Sequence, residues 1–384
     1  MCTSKVLEKI DELNEEYIGV WESFCNIESP TADKNAVDEA SEYILSFARK
    51  MGWEITENTQ AVSGNAYCIT MNADSKEKPV CLSGHVDTVH PKGDFGYPPV
   101  RIDREAGKIY GPGVEDCKGG IVSALLAMTA LAECGYTERP VKLILQSDEE
   151  ISSISSGKKT IEFMRDCSLD AVAFLNCEGH SKGKLVVVRK GIIRFVLDIK
   201  GVAVHSCNCY DGKSAILEAA HKIIELEKWK DRNGITCNCG IINGGTTPNT
   251  VAELCSVVAD IRYATEEQLD EVKKRVAEIA ETSYIGGTSC TLSIKSERIC
   301  MEKNERNMNL LEAIRKIFAK YGIDDVEAGG SNGGSDAAWM SYYGIPTVDS
   351  IGTHGGSIHS KNEYACIDSL AKSAKMIASI ICDI

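Results

Sequence analysis

The sequence has no surplus of positive charge: 42 Lys and Arg stand against 56 Asp and Glu, a formal net charge of −14. Nucleic acid and anionic membranes are bound by clustered Lys and Arg, so neither partner is expected. No apolar run is long enough to span a bilayer; the longest, near residues 122–132, falls short of the required length of about 20 residues. The opening MCTSKVLEKIDELNEEY lacks the apolar stretch of a signal peptide, and no internal repeat or low-complexity linker is visible. A disulfide framework is not expected either. The 17 cysteines are an odd number, and many, such as Cys68, Cys81 and Cys255, lie inside apolar runs. Such frameworks belong to short secreted chains, so the thiols read as reduced and the protein as cytoplasmic.

What is present is the composition of a soluble globular protein, 43% hydrophobic and 26% charged, over 384 residues, a length that favours more than one domain. Val6, Ile10, Leu13, Tyr17, Trp21 and Phe24 recur at helical spacing, and a second periodic stretch over 36–51 stops at Gly52. Apolar strand-like runs at 80–82, 141–145 and 171–175 then alternate with a helix through Ile121, Leu125, Met128 and Leu131. That alternation predicts an α/β sheet covered on both faces. The middle changes character: strand 192–199, helix 214–230, strands 236–242 and 251–262, a helix with Leu269, Val272, Val276 and Ile279, and strand 290–294. The order βαββαβ is that of a ferredoxin-like sandwich. A small domain over 191–295 is therefore expected inside a larger mixed-sheet α/β domain made of 1–190 plus 296–384. The larger pattern resumes with a helix over 310–321, a Gly-rich loop, a strand over 345–350, a loop with two histidines and a last helix.

In open α/β sheets, ligands gather at the carboxyl ends of the strands. The run at Val80 ends in His85 and Asp87, which stand two apart and so project to the same side. Glu149 and Glu150, Glu178, and His354 or His359 also follow strand-like runs, and Asp116 stands just before a helix. Each alone reads as a cap or an exposed side chain. Together, two imidazoles and three or four carboxylates suit a pair of zinc ions bridged by one carboxylate. A further carboxylate beside them could take the proton of an activated water.

The motifs Ser83-Gly-His-Val-Asp-Thr88, Gly111-Pro-Gly-Val-Glu-Asp-Cys-Lys-Gly-Gly120, Asp148-Glu-Glu150, Gly333-Gly-Ser-Asp-Ala337 and His359-Ser-Lys-Asn-Glu-Tyr364 stand in one order around the inserted domain. In this the whole chain resembles the zinc metallopeptidases and deacylases that include glutamate carboxypeptidase, acetylornithine deacetylase, succinyl-diaminopimelate desuccinylase, aminoacylase and peptidase T, with the glutamate carboxypeptidase branch nearest. The resemblance implies two zinc ions per chain, although cobalt and manganese suit the same donors. Asp116 would bridge them, with His85 and Glu178 at one ion and Glu150 and His359 at the other. Glu149 would be the general base, Asp87 would orient His85, and the Asp116–Cys117 peptide would be cis. The inserted domain resembles the family's lid, which commonly dimerises. His205 matches a lid histidine that stabilises the tetrahedral oxyanion, and Asn249 and Arg262, with Arg298 as a weaker candidate, match residues near a substrate carboxylate. The expected reaction is hydrolysis of an amide in an N-acyl amino acid or short peptide with a free carboxylate. Two departures stand out: Gly179 follows Glu178 where the family usually has proline, and the segment after Glu150, Ile-Ser-Ser-Ile-Ser-Ser-Gly, lacks the usual early glycine-serine pair.

Other readings remain at this level. Gly329-Gly-Ser-Asn-Gly333 fits G-x-S-x-G with Asp349 and His359 downstream, the order of a serine hydrolase using Ser331. The preceding GIDDVEA is acidic and barely apolar, which is poor for the buried strand such an elbow needs. Cys207-x-Cys209 and Cys237-x-Cys239 are a weak match to a structural zinc site. A catalytically silent metal-binding module would keep the fold without turnover.

Overall fold

The computed structural model describes residues 3–180, 183–228, 230–231 and 234–384. Two compact units emerge: residues 1–187, 303–330 and 335–384 form one, and residues 188–302 with 331–334 form the other. The second unit is wider than 191–295 for a local reason. Arg189 pairs with Met301 through backbone hydrogen bonds, and its guanidinium reaches Ser331 Oγ and the carbonyls of Gly333 and Gly334.

The first unit is built on an eight-stranded mixed sheet in the order Glu54–Asn58, Ala66–Met71, Val141–Gln146, Val80–His85, Ala173–Asn176, Thr347–Asp349, Lys184–Arg189, Glu327–Ser331. Val141–Gln146, Val80–His85, Ala173–Asn176 and Thr347–Asp349 run parallel. Their carboxyl ends therefore open on one edge. Ala66–Met71, Val80–His85 and Ala173–Asn176 are buried throughout, as strands covered on both faces must be. Helices Thr3–Asn26, Lys118–Glu133 and Ser369–Asp383 pack on one another. The other face is closed by Ile161 and Met164 of helix Lys159–Ser168 and by Met340, set against Cys68, Cys81, Ile144 and Phe174. Helix Lys118–Glu133 has no polar stripe and is buried from Lys118 to Leu131, which makes it the centre of its layer. Lys118 avoids an unpaired charge by donating its amine to the carbonyl of Ile27, just past the end of the first helix.

The second unit is an antiparallel sheet in the order Thr236–Gly244, Leu254–Tyr263, Gly191–Lys200, Ser289–Arg298. Ile193, Phe195, Leu197 and Ile199 alternate onto one face and pack with Ala215, Ala219, Leu226, Leu269, Val272 and Val276 of its two helices. The helix expected to reach residue 230 runs Ala215–Glu227, and residue 229 lies outside the described residues. Lys222 closes the end of the second helix, Glu266–Glu281, by donating to the carbonyls of Ile279, Ala280 and Thr282. Connectivity and sheet order make this a ferredoxin-like sandwich. Among the described residues, no helix is long and apolar enough to cross a membrane.

Candidate active site

The carboxyl edge of the parallel strands carries His85, Asp87, Glu149, Glu150 and Glu178, and the loops there bring in Asp116 and His359. His85 ends its strand and is buried. Its Nδ1 lies 2.9 Å from the carbonyl oxygen of Asp87, which can only accept, so Nδ1 carries the proton. In the neutral ring the lone pair of Nε2 then points at Asp116 Oδ1, 3.0 Å away, with Glu178 Oε1 at 3.7 Å. Asp116 Oδ2 faces His359 Nε2 at 3.1 Å, and Glu150 Oε2 stands 3.2 Å from the same nitrogen. Each oxygen of one carboxylate thus meets a different imidazole.

A nitrogen lone pair facing an anionic oxygen at that distance needs a positive charge between them. With protons in that role, the titrations are strongly displaced. Burial opposes charge on His85, yet the carboxylates of Glu178, Asp116 and Asp87 hold its pKa well above the usual imidazole value. Hydrogen bonds to Asp116 and Glu150 raise His359 to about 10. Burial pushes Glu150 up to about 7 and Glu178 well above the carboxylate range. Burial also opposes charge on Asp116, but its two imidazoles hold it well below that range. The donor set fits metal ions better than protons. Asp116, Glu149, Glu150 and Glu178 bring four negative charges when ionised, which two divalent cations balance, and nitrogen with carboxylate oxygen is a donor mixture that zinc, cobalt and manganese accept. Among the described residues, the groups able to hold an ion are His85, Asp116 and Glu150, and His85, Cys117 and Glu178. Burial holds the Cys117 thiol well above its ordinary pKa, so it stays neutral, and its sulfur instead takes the backbone N–H of His85. No such group forms among Cys207, Cys209, Cys237 and Cys239.

Asp87 does more than face His85. Its carboxylate lies 3.5 Å from His85 Nδ1, but it accepts the backbone N–H groups of Glu149 and Glu150 at 3.2 Å each and the Thr31 hydroxyl at 2.8 Å. It ties two strand ends together. Close packing sets Glu178: a Cβ on Gly120 would stand 1.8 Å from the carbonyl oxygen of Cys177, so the glycine lets the central helix approach the strand end. At the departing Gly179, a Cβ would meet the side chain of Glu115, with Oε1 at 2.2 Å, and that side chain would have to shift. The Asp116–Cys117 peptide is cis, as the resemblance implied.

The most consequential residue to which the sequence reading gave no role is Glu363. Buried in the loop after His359, it accepts the backbone N–H groups of Glu115 (3.0 Å), Asp116 (3.1 Å) and Gly113 (3.2 Å) and meets His90 Nε2 at 3.1 Å. One carboxylate thereby fixes the segment that presents Asp116. Glu363→Gln puts an amide donor where backbone donors converge. The expected cost is about 1–3 kcal/mol in urea unfolding of the metal-free protein, together with weaker metal retention. Unfolding and metal affinity both at wild-type values would remove Glu363 from this role.

In the second unit, His205 is exposed, its Nδ1 accepting the backbone N–H of Cys207, and the carbonyl of Asn249 accepts the Ser206 N–H. Arg262 lies on the sheet face opposite the helices, where its Nε donates to Asp260 and its Nη1 to the carbonyl of Asn332. Tyr263 donates to the carbonyl of Arg298. Ser331 ends a short, mostly exposed edge strand and accepts hydrogen bonds from Arg189 and the Gly333 N–H. Helix Ala337–Tyr342 begins only several residues later, and His359 is committed to Asp116 and Glu150. A nucleophile elbow is not formed.

This fold and this cluster define a metal-dependent hydrolase. The chain belongs to peptidase family M20/M25/M40, whose sequence pattern it matches over residues 81–383. It is 27% identical over 379 residues to carboxypeptidase G2 of Pseudomonas sp. (strain RS-16), covering 94% of this chain and 88% of that one. Among solved structures, aminopeptidase PepT from Bacillus cereus superposes with a TM-score of 0.80 at 22% identity, over 96% of this chain and 98% of that one. The YXEP protein of Bacillus subtilis, described as a dinuclear metal-binding peptidase of the M20 family, does so with a TM-score of 0.71 at 16% identity, over 97% and 98%. At such identities the structural likeness is one of fold.

Proposed function

We propose that this protein is a two-zinc amidohydrolase that cleaves an amide bond in a short peptide or N-acyl amino acid carrying a free carboxylate. The observation that carries the reading is the Asp116 carboxylate, whose two oxygens face His85 and His359 separately. His85 and Glu178 would hold one ion, Glu150 and His359 the other, and Asp116 both. The metal pair, when bound, supplies acidification of a water and polarisation of the amide carbonyl. Glu149 takes the proton of that water and returns it to the leaving amine nitrogen. Asp87 keeps Glu149, Glu150 and His85 in register through the contacts above. His205 suits an oxyanion donor, because its Nδ1 accepts and its Nε2 therefore carries the proton. Asn249 and Arg262 are the candidates for the substrate carboxylate, and a guanidinium fork is well matched to one. The curated relative's name, carboxypeptidase G2, agrees with a substrate of that kind.

The test is metal content measured beside hydrolysis of a panel of dipeptides and N-acyl amino acids, with and without chelator. Two zinc ions per chain and cleavage that stops on chelation and returns with zinc are expected. Cleavage indifferent to chelation sinks the reading. We also propose that two copies pair through the second unit. Thr236–Gly244 is an edge strand with Ile241 and Ile242 exposed, and helix Ala215–Glu227 exposes Ile216, Leu217 and Ile224. Sedimentation should then report twice the 41.7 kDa chain mass, and a particle of single mass excludes the pairing.

A further inference from the structure

The chemistry above leaves most of the cysteines unused, and one exposed thiol among them stands beside an imidazole. Cys25 and Cys81 are buried and pushed up to about 12 by that burial, so they remain inert thiols. Among the described cysteines, the exposed ones are Cys207 and Cys209. Cys207 Sγ lies 3.1 Å from His205 Nδ1. That nitrogen also accepts the Cys207 backbone N–H at 3.3 Å, so it is the unprotonated one, and the thiol must be the donor in the sulfur contact. The pair is held in place. His205 forms a β-bridge with Thr250, the Ser206 N–H donates to the Asn249 carbonyl, and the Asn208 N–H closes a 3₁₀ turn onto the His205 carbonyl. Cys209 shares the exposure without the imidazole.

We infer that Cys207 is a reactive modification site, with His205 as its proton acceptor, that exchanges with low-molecular-weight disulfides. The thiol proton passes to Nδ1, and the thiolate attacks one sulfur of R–S–S–R. The S–S bond breaks, R–S⁻ leaves and takes the proton from the imidazolium, and Cys207 is left as the mixed disulfide. The disulfide is the oxidant, so the electrons balance. Where the hydrolase reading of His205 holds, and only there, the modification also lowers turnover, because it adds bulk beside the oxyanion donor.

The experiment treats the native chain with oxidised glutathione and follows each cysteine by peptide mapping and mass spectrometry. Cys207 is expected to react first, about tenfold faster than any other cysteine, with His205→Gln slowing it by a similar factor. Cys207→Ser removes the fast phase and Cys209→Ser leaves it. The same labelling in Glu149→Gln proceeds at the wild-type rate, which separates the thiol's reactivity from the fate of the hydrolase reading. A fast phase at Cys209 or at a buried cysteine, or one unchanged in His205→Gln, overturns the proposal.

Discussion

Glu149→Gln is expected to lower kcat by about 10²–10⁴-fold, the usual worth of a positioned general base, while both metal ions stay bound. The substitution keeps the size of the side chain and removes its basicity. Its backbone anchor is untouched, since Asp87 Oδ1 accepts the N–H of residue 149 whatever the side chain. The carboxylate is nearly buried and close enough to Glu150 and Glu178 to help raise both of their pKa values. A proton on residue 149 is therefore felt by the groups proposed to hold metal, as the coupling of base and ions requires. The loss should fall on kcat and kcat/KM alike, with KM little changed, because the proton moves only on the way to the transition state. Steady-state kinetics beside elemental analysis checks it. Turnover near the wild-type value with full metal takes Glu149 out of the mechanism, and metal loss alongside turnover loss would place it among the ligands instead.

How far the sequence could go is visible in particular residues. His85, Glu149, Glu150 and Glu178 were legible as candidates because each ends or closely follows a strand of the parallel layer, where apolar runs are continuous and the break to polar residues is sharp. The middle βαββαβ segment was legible because its strands alternate and its helices keep a 3.6-residue period. Glu363 was not. It belongs to no periodic run, and it acts on Asp116 from 247 residues away. Thr31, which braces Asp87, is equally silent in one dimension. Lys118 and Lys222 are both buried with their amines on helix-end carbonyls, a use that depends on which helix end arrives there. Edge strand Glu327–Ser331 buries one residue of five and so lacks a hydrophobic signature; it read as a loop. Continuous cores and sharp strand ends announce themselves locally, whereas bracing contacts are made by the fold.

The second large effect is expected at Asp116→Asn, and its asymmetry makes it informative. The carboxylate gives one oxygen to each imidazole, but an amide has one oxygen and one NH₂, and the NH₂ cannot ligate a metal. The two sides are not equivalent. His85 is buried and tied through Nδ1 to the Asp87 carbonyl, so its Nε2 must accept, which suits an Asn NH₂ as donor. His359 is half exposed and can keep the amide oxygen or turn to water. The ion proposed for His85 and Glu178 should therefore be lost first. Outer-shell partners of a metal are typically worth 10–100-fold in affinity, so a shared ligand should cost at least about 10²-fold at that site. Stability reports the same loss. An ion present at 100 times its dissociation constant stabilises the folded chain by ~2.7 kcal/mol, so zinc should raise the melting temperature of the wild type more than that of the variant. Elemental analysis after dialysis should find two ions per wild-type chain and one or fewer per variant chain. Two ions held at wild-type affinity would mean that Asp116 does not bridge, and the imidazole-to-carboxylate contacts would then be proton-shared pairs in their own right.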